Sequence, residues 1–431
     1  MHINTKLLKK YFYHHSFLSV FLLYSYFSSN IYALFLIVFI AFLSFLIAFK
    51  KSNIIIKYKW EKIFFTCTIL LAIILLFGQI YWNSNIHAIT MIIPIFIFFL
   101  LKSSDINIFK KALLFWLTLV VAIATYEKLF NTYFFISEYE LGDSLIFLDA
   151  RLFSGQTQML RAKSIFLGPL TLSTFLIFSS IILRHNNYAL LISLLGAVLS
   201  TSRTALIIVS IIILTVTIKN KSLLWIYSIF ILFFLLFAFF FPFSLSDSPY
   251  LTRLFNVFDF SNYSGSNYFR LQFWKNGLDL FLSYSTAQIL IGDQGLFREL
   301  YLNNAESGWL TMILDFGILG FSFLIFPLFY SFFALKNVEA KIILSVIFIA
   351  NSVFTFSYGV VGAFCYWTLI YYIYIENFES DNRGVNRHAI RSIREHKGTS
   401  MIRKSRGKTE FPCTPQHRPG AVTECAILPT S

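Results

Sequence analysis

A single arginine, Arg203, interrupts the apolar stretch LLGAVLSTSRTALIIVSIII at residues 194–213. A guanidinium near the middle of a bilayer costs at least about 2.5 kcal/mol, so its presence there needs a reason. One explanation is structural: the side chain extends to the membrane interface from the end of a short helix. The other is chemical, because a planar fork of N–H donors suits a phosphate group. Three hydroxyl side chains beside the arginine would add donors, those of Thr201, Ser202 and Thr204.

A second arginine, Arg161, precedes another apolar run in the stretch RAKSIFLGPL. In isolation it has the features of an ordinary interfacial arginine. Together with Arg203, however, it falls on the membrane face where basic residues are otherwise scarce, as the charge pattern described below indicates. Two arginines on that face suggest an anionic ligand, and a diphosphate carried on a lipid is the natural candidate at membrane depth.

A carboxylate, Glu306, stands in the stretch NAESGWLTMILDFGILGF. We expect it to begin a helix that Ser307 caps. A carboxylate in a first turn is favoured by the helix dipole, which would be a purely structural role. The functional alternative is a general base, which requires a carboxylate at a partly desolvated boundary. Gly317 and Gly320 would then allow close helix packing.

The composition identifies the environment in which these groups act. Of 431 residues, 57% are hydrophobic, 19% are aromatic and only 13% are charged, which is more apolar surface than a soluble domain can bury. The four cysteines do not indicate a disulfide framework, and Cys413, His417 and Cys425 lack the spacing of a metal site. The net charge of +14 invites a nucleic-acid interpretation, but the distribution of the charge argues against it.

Apolar runs of roughly 15 to 25 residues recur along the chain and predict an all-α polytopic membrane protein. We expect twelve helices, at about 11–28, 31–49, 63–82, 86–101, 112–130, 165–183, 187–200, 204–218, 223–243, 309–335, 341–357 and 360–375. The two that flank Arg203 are unusually short. No cleavable signal peptide is recognisable, so the first run is expected to be a retained helix.

Basic residues alternate between the two sides of these spans, which predicts that both termini are cytoplasmic. Clusters of lysine precede the first span and follow the second and fourth, whereas the intervening SSN and NSN segments are uncharged. Two long loops, about 131–163 and 244–308, then fall on the periplasmic side. Arg161 and Arg203 lie on that side as well.

The second long loop contains YFRLQFWKNGLDLF, in which Leu271, Trp274, Leu278 and Phe281 recur at helical spacing. This pattern predicts an amphipathic helix that either lies on the membrane surface or packs on a small core of the loop itself. Residues 1–376 would form the membrane domain. Residues 377–431 are polar, basic and nearly free of aromatic residues, and we expect a disordered cytoplasmic tail.

Three of these stretches together resemble the O-antigen polymerase and ligase superfamily. They are RAKSIFLGP, LSTSRTALI and IGDQGLF followed by NAESGWLTMILDFGILG, and they occur in the order typical of that superfamily over residues 150–325. The resemblance implies a glycosyltransferase of the bacterial inner membrane with GT-C-like architecture. Such proteins move a glycan from undecaprenyl diphosphate to an acceptor without a metal or cofactor.

Carried over residue by residue, the resemblance assigns Arg161 and Arg203 to the lipid diphosphate and Glu306 to the role of base or acceptor-orienting group. Ser202, which supplies a hydroxyl beside Arg203, and the basic residues Arg270 and Arg298 of the second long loop are further candidates for substrate binding. Ligases usually carry histidine where this chain has Glu306, which favours a polymerase. The partners implied are the lipid-linked oligosaccharide, membrane lipids and a chain-length regulator protein, with no nucleic acid.

Two other functions remain open. An O-antigen ligase would transfer the glycan to lipid A-core instead of to another repeat unit. A flippase for lipid-linked oligosaccharides would also be basic and polytopic, but such carriers tend to show internal repeats, and none is visible here. Long loops on one side also suit a surface reaction better than alternating access.

Overall fold

The structure is a computed structural model. It describes residues 14–15, 18–19, 21–22, 58–82, 88–103, 105–135, 138–141, 144–147, 152–154, 157–219, 266–301 and 303–377. All of them belong to one compact unit, residues 1–377. The predicted spans at 31–49 and 223–243 and the tail beyond residue 377 lie outside the described residues, as does most of the span at 11–28.

The described residues form mainly helices. In chain order these are α1 Lys59–Trp82, α2 Ala88–Ser103, α3 Ile106–Phe130, α4 Pro169–Ile182, α5 Asn187–Leu199, α6 Arg203–Lys219, α7 Ser266–Leu282, α8 Thr286–Ile291, α9 Leu296–Tyr301, α10 Gly308–Ala334, α11 Val338–Val353 and α12 Gly359–Asn377. Nine of the predicted spans correspond to one of these helices. The helices α7, α8 and α9 lie in the second predicted loop.

Two antiparallel hairpins, which the sequence pattern did not predict, lie in the first long loop. They pair β1 Glu138–Leu141 with β2 Ser144–Phe147, and β3 Leu152–Ser154 with β4 Thr157–Met159. Two residues join the strands of each hairpin, and the first of the two is a glycine. Glycine at that position favours a tight hairpin connection.

Four helices, α1, α3, α10 and α12, are long and apolar enough to cross a membrane. The helices α4, α5 and α6 are shorter and also apolar, so the chain is a multi-pass helical membrane protein. The helices predicted on either side of Arg203 are present as α5, with 13 residues, and α6, whose described part has 17. The expectation that both are unusually short is met by α5 only, because α2, α4 and α11 have 16, 14 and 16 residues. The total of twelve spans and the orientation of the termini stay predictions.

Helix ends follow from local residue types. Asp105 caps α3 by accepting from Asn107 N at 3.1 Å, and Gly168 and Pro169 begin α4, since proline at the first position needs no N–H partner. The predicted cap of α10 is confirmed: the Ser307 side chain accepts from the Leu310 N–H. Glu306, however, precedes this cap and is not in the first turn, so the expectation that it begins the helix was wrong.

The long helix α10 is interrupted at Gly317, whose φ is 65° and ψ −177°. The break exposes backbone carbonyls to the segment between α8 and α9. Asp293 N donates to Leu314 O at 2.9 Å, and Gln294 N donates to Asp315 O at 3.2 Å. The close packing expected at Gly317 is against the end of α8, where a Cβ would meet Leu290 and Gly292. At Gly320 it is against α1, where a Cβ would meet Ile74 and Leu71.

Candidate functional site

Five of the six site residues predicted from the sequence, all except Arg298, line one cavity. The cavity has a volume of about 140 Å³ and is lined by Arg161, Leu170, Thr201, Ser202, Arg203, Thr204, Arg270 and Glu306. These residues come from the loop before α4, the first turns of α4 and α6, the helix α7 and the segment before α10. The sixth predicted residue, Arg298, is exposed on α9 and does not line the cavity.

Arg161 lies in the loop between β4 and α4. Its Nε donates to Thr201 Oγ1 at 3.0 Å, and the N–H of the next residue, Ala162, donates to Leu199 O. Burial, together with the charges of Arg270 and Arg203, lowers the pKa of Arg161 to about 10. The guanidinium therefore stays charged at neutral pH while it is largely withdrawn from water.

Arg203 is the first residue of α6. Ser202 occupies the cap position before it, and its Oγ accepts from Ala205 N at 3.4 Å. Because Thr204 and Leu170 are in the first turns of α6 and α4, two helix amino ends border the cavity. Unpaired N–H groups and the helix dipole make such ends positive, so they add to the field of the arginines.

Glu306 lines the same cavity, although it lies about one hundred residues after Arg203 in the sequence, in the segment before α10. Its Oε2 lies 3.4 Å from Arg270 Nε, and its Oε1 accepts from Asn303 Nδ2 at 3.3 Å. The backbone of Glu306 is in the left-handed region, with a φ of 55°. Ser164, three residues after Arg161, and Thr201, which accepts from Arg161, also have left-handed backbones. Such conformations are uncommon for residues other than glycine and tend to cluster at functional sites.

The helix α7, which carries Arg270, confirms the helical pattern predicted for the second loop. Its face with Phe273, Leu280 and Phe281 packs on a small core that Tyr284, Phe297 and Ala305 of the loop form with Leu314 of α10. Leu271 and Leu278 on another face are exposed. The packing on a local core holds Arg270 within reach of Glu306.

Sequence reasoning missed three residues that organise this site. Asn303 orients Glu306, while Glu127 and Lys128 hold the loop that carries Arg161. Glu127 and Lys128 are adjacent charges near the end of the apolar helix α3, where charges commonly mark the end of a span. Their pairing with residues more than 30 positions later left no signal in the local pattern.

Chemically, the cavity combines three guanidinium groups with one carboxylate among its lining residues. Such a set can bind an anion that carries about two negative charges, with the guanidinium forks as bidentate donors. The carboxylate is close enough to one arginine to be held in place and still borders the cavity. It can therefore accept a proton from a hydroxyl that is bound next to the anion.

The apolar helices and the cationic cavity at their ends define a multi-pass membrane protein with a polar site next to the bilayer. Residues 188–325 match the family model described as O-antigen ligase, so this segment of the chain is similar to the O-antigen polymerase and ligase superfamily. The matched segment begins in α5, ends in α10 and contains Arg203, Arg270, Arg298 and Glu306. No curated protein matches the chain.

Proposed function

We propose that this chain is a metal-independent polysaccharide polymerase. It would join oligosaccharide repeat units carried on undecaprenyl diphosphate into O-antigen or capsular polysaccharide, at the periplasmic face of the bacterial inner membrane. The observation that carries the proposal is the convergence of Arg161, Arg203, Arg270 and Glu306 on one cavity. A chain-length regulator would act with it as a partner.

In the proposed reaction, a sugar hydroxyl of the acceptor attacks the anomeric carbon of the donor glycan. A new glycosidic C–O bond forms, and the bond between the anomeric carbon and the phosphate oxygen breaks. The electron pair of that bond leaves with undecaprenyl diphosphate, and the hydroxyl proton passes to Glu306. The arginines stabilise the charge that develops on the departing diphosphate, which is the part of the reaction that most needs electrostatic support.

A ligase is the second candidate, because the matched family model is described as O-antigen ligase. The acceptor would then be a hydroxyl of lipid A-core, and the same arginines would hold the same donor. Glu306, in place of the histidine that ligases usually carry, favours the polymerase. The two functions differ in the glycan that accumulates when the protein fails.

The test uses cells that lack the native protein and express Arg203→Ala, Arg203→Lys, Arg161→Ala or Glu306→Gln. Surface glycan is resolved by length on gels, and membrane abundance is measured by immunoblot. We expect glycan limited to one repeat unit with Arg203→Ala, Arg161→Ala and Glu306→Gln. Arg203→Lys keeps the charge without the bidentate fork and should restore only part of the polymer. Lys275→Ala, an exposed cation of α7 outside the cavity, is the matched control and should give polymer of normal length.

Other outcomes identify the alternatives. Long polymer stranded on the lipid carrier would indicate a ligase, and single repeats trapped on the cytoplasmic face would indicate a flippase. Normal polymer from both Arg203→Ala and Glu306→Gln, at normal protein abundance, would refute the proposed site.

A further inference from the structure

The loop that carries Arg161 is held from both sides by two adjacent residues of α3. Before the arginine, the Leu160 carbonyl accepts from Lys128 Nζ at 2.7 Å. After it, the backbone N–H groups of Lys163 and Ser164 both donate to Glu127 Oε2, at 2.9 and 2.8 Å. One turn of α3 therefore brackets the arginine.

Glu127 is fully buried, with 0% of its surface exposed. Its second oxygen, Oε1, accepts from Phe134 N at 3.3 Å. A buried carboxylate is costly unless it accepts hydrogen bonds, and charge-assisted bonds of this kind are stronger than neutral ones. Three N–H groups from two separate loops meet this requirement, so the carboxylate fixes both loops relative to α3.

The turn after Arg161 is shaped around this carboxylate. Ser164 has a left-handed backbone, with a φ of 55°, and its hydroxyl donates to Val120 O at 2.8 Å. Two successive N–H groups thereby converge on a single oxygen, as they do in backbone concavities that bind anions. Lys163 is buried beside them, with Nζ 4.6 Å from the centre of the Tyr133 ring. In this turn the anion is supplied by the protein itself.

We infer that Glu127 is a positioning residue for Arg161: it holds the loop so that the guanidinium reaches both Thr201 and the cavity. Glu127 is not among the residues that line the cavity. The inference rests on the proposed function only in taking the cavity to be an anion site. Its effect is on the geometry of Arg161 and hence on the affinity for the anion.

The experiment uses the full-length protein in detergent micelles and inorganic pyrophosphate as the probe. Pyrophosphate that binds the folded state raises the melting temperature, and the concentration dependence gives an affinity. We expect Glu127→Gln to weaken pyrophosphate binding about tenfold, because one charge-assisted acceptor is lost and the new amide faces the Phe134 N–H, donor against donor. Arg161→Ala should weaken binding at least as much.

A double-mutant cycle separates positioning from general loss of stability. If Glu127 acts through Arg161, the Glu127→Gln change should weaken binding much less in the Arg161→Ala background than in the wild type. The control is Glu339→Gln, which removes another buried carboxylate, one that pairs with Arg184 at 2.6 Å away from the cavity. It should leave the pyrophosphate affinity unchanged even if it lowers the melting temperature.

Normal affinity in Glu127→Gln, or full additivity with Arg161→Ala, would overturn the inference while leaving the anion site intact. If Glu127→Gln does not yield folded protein, Glu127→Asp takes its place. It keeps the charge but is one methylene shorter, so the same loss of affinity is expected and a normal affinity overturns the inference. A wild-type protein whose melting temperature does not respond to pyrophosphate would instead reject the anion site itself.

Discussion

Three guanidinium groups, those of Arg161, Arg203 and Arg270, line one small cavity, and Glu306 is the carboxylate among its lining residues. Like charges held this close repel one another, and partial burial weakens the screening by water. An anion of two charges would relieve this repulsion, since it would interact with all three arginines at once. The arrangement therefore favours the binding of an anion, and it would favour it more strongly if further negative charge developed there in the proposed reaction.

A second polar cluster, away from the cavity, surrounds the buried carboxylate of Asp293 and predicts that the stability of the protein depends on pH. Asp293 is buried and bonded to the Tyr284 hydroxyl, and its Oδ1 accepts from Gly295 N at 2.9 Å. Burial first, and then the charge of Asp315, raise the pKa of Asp293 to about 6. Because the folded-state pKa lies above the unfolded one, the stabilising contribution is complete below about pH 4 and is lost as the pH rises through 6.

We therefore predict that the wild-type protein is less stable at pH 7 than at pH 5, by about 1 kcal/mol from this group alone. Asp293→Asn, which cannot ionise, should remove that part of the pH dependence. The measurement is the melting temperature of the purified protein across this range. Asp279→Asn changes an exposed carboxylate of α7 and should keep the wild-type slope. Equal slopes for the wild type and Asp293→Asn would contradict the prediction.

At the scale of single residues, the sequence identifies those charged side chains that depart from the alternation of basic residues between the two sides of the membrane spans. Arg161 and Arg203 stand out because the charge pattern predicts them on the face where basic residues are scarce, and both line the cavity. Glu127 does not stand out, because a charge near the end of an apolar run also marks the end of a span. Its role depends on Lys163 and Ser164, and only the fold brings these residues to α3.

At the scale of elements, the helix α10 is interrupted where the segment between α8 and α9 packs against it. A Cβ on Gly317 would lie 2.4 Å from the carbonyl carbon and oxygen of Leu290 and 2.5 Å from Gly292 N. Its φ of 65° with a ψ of −177° is also a region that is almost confined to glycine. Contact and backbone conformation therefore both require glycine here.

We predict that Gly317→Ala destabilises the protein by more than about 2 kcal/mol. The added Cβ forces the backbone of Leu290 and Gly292, at the end of α8, to move away, and alanine is strained in this backbone conformation. The measurement is the melting temperature and the yield of monodisperse protein. Gly168→Ala is the control, because a Cβ there meets nothing within 4 Å and the backbone is extended. A wild-type melting temperature for Gly317→Ala would show that the helix is continuous.

The helices themselves were predictable, whereas the break in α10 was not. Apolar runs of the right length identify spans because a bilayer leaves the backbone few other solutions. Gly317 lies inside such a run, and neither a single glycine nor a single charge such as Asp315 marks a break within an apolar run. The break depends on the approach of Gly292, 25 positions earlier, and this contact is invisible to any local pattern. The two short hairpins were missed for a similar reason, since strands of three or four residues give little periodic signal.

At the scale of the whole molecule, α3 links two polar regions. Near its start, Lys110 Nζ lies 3.3 Å from Glu376, which also bonds to Arg184, and Arg184 in turn pairs with Glu339. Near its end, Glu127 holds the arginine loop of the cavity. A rise of 1.5 Å per residue places these two ends of the helix roughly 25 Å apart, close to the thickness of the hydrocarbon core.

Because the two polar regions lie at opposite ends of α3, the predicted orientation of the protein determines which side of the membrane the cavity faces. Lys110 and Arg184 belong to the basic segments that the charge pattern assigns to the cytoplasm, so the cavity at the other end of α3 would open on the periplasmic side. Substrate would then reach the arginines only after transfer across the membrane, as a polymerase requires. The reverse orientation would expose the cavity to the cytoplasm.

We predict that reporters fused after Lys57 and after Asn262, both outside the described residues, lie on opposite sides of the membrane. A fluorescent protein that matures only in the cytoplasm should be bright after Lys57 and dark after Asn262. Alkaline phosphatase, which folds only outside, should give the opposite result. Both reporters are placed at both positions, and immunoblots confirm equal expression. If both positions report the same side, the topology is wrong. If each reports the side opposite to the prediction, the cavity faces the cytoplasm and polymerisation at the periplasmic face is refuted.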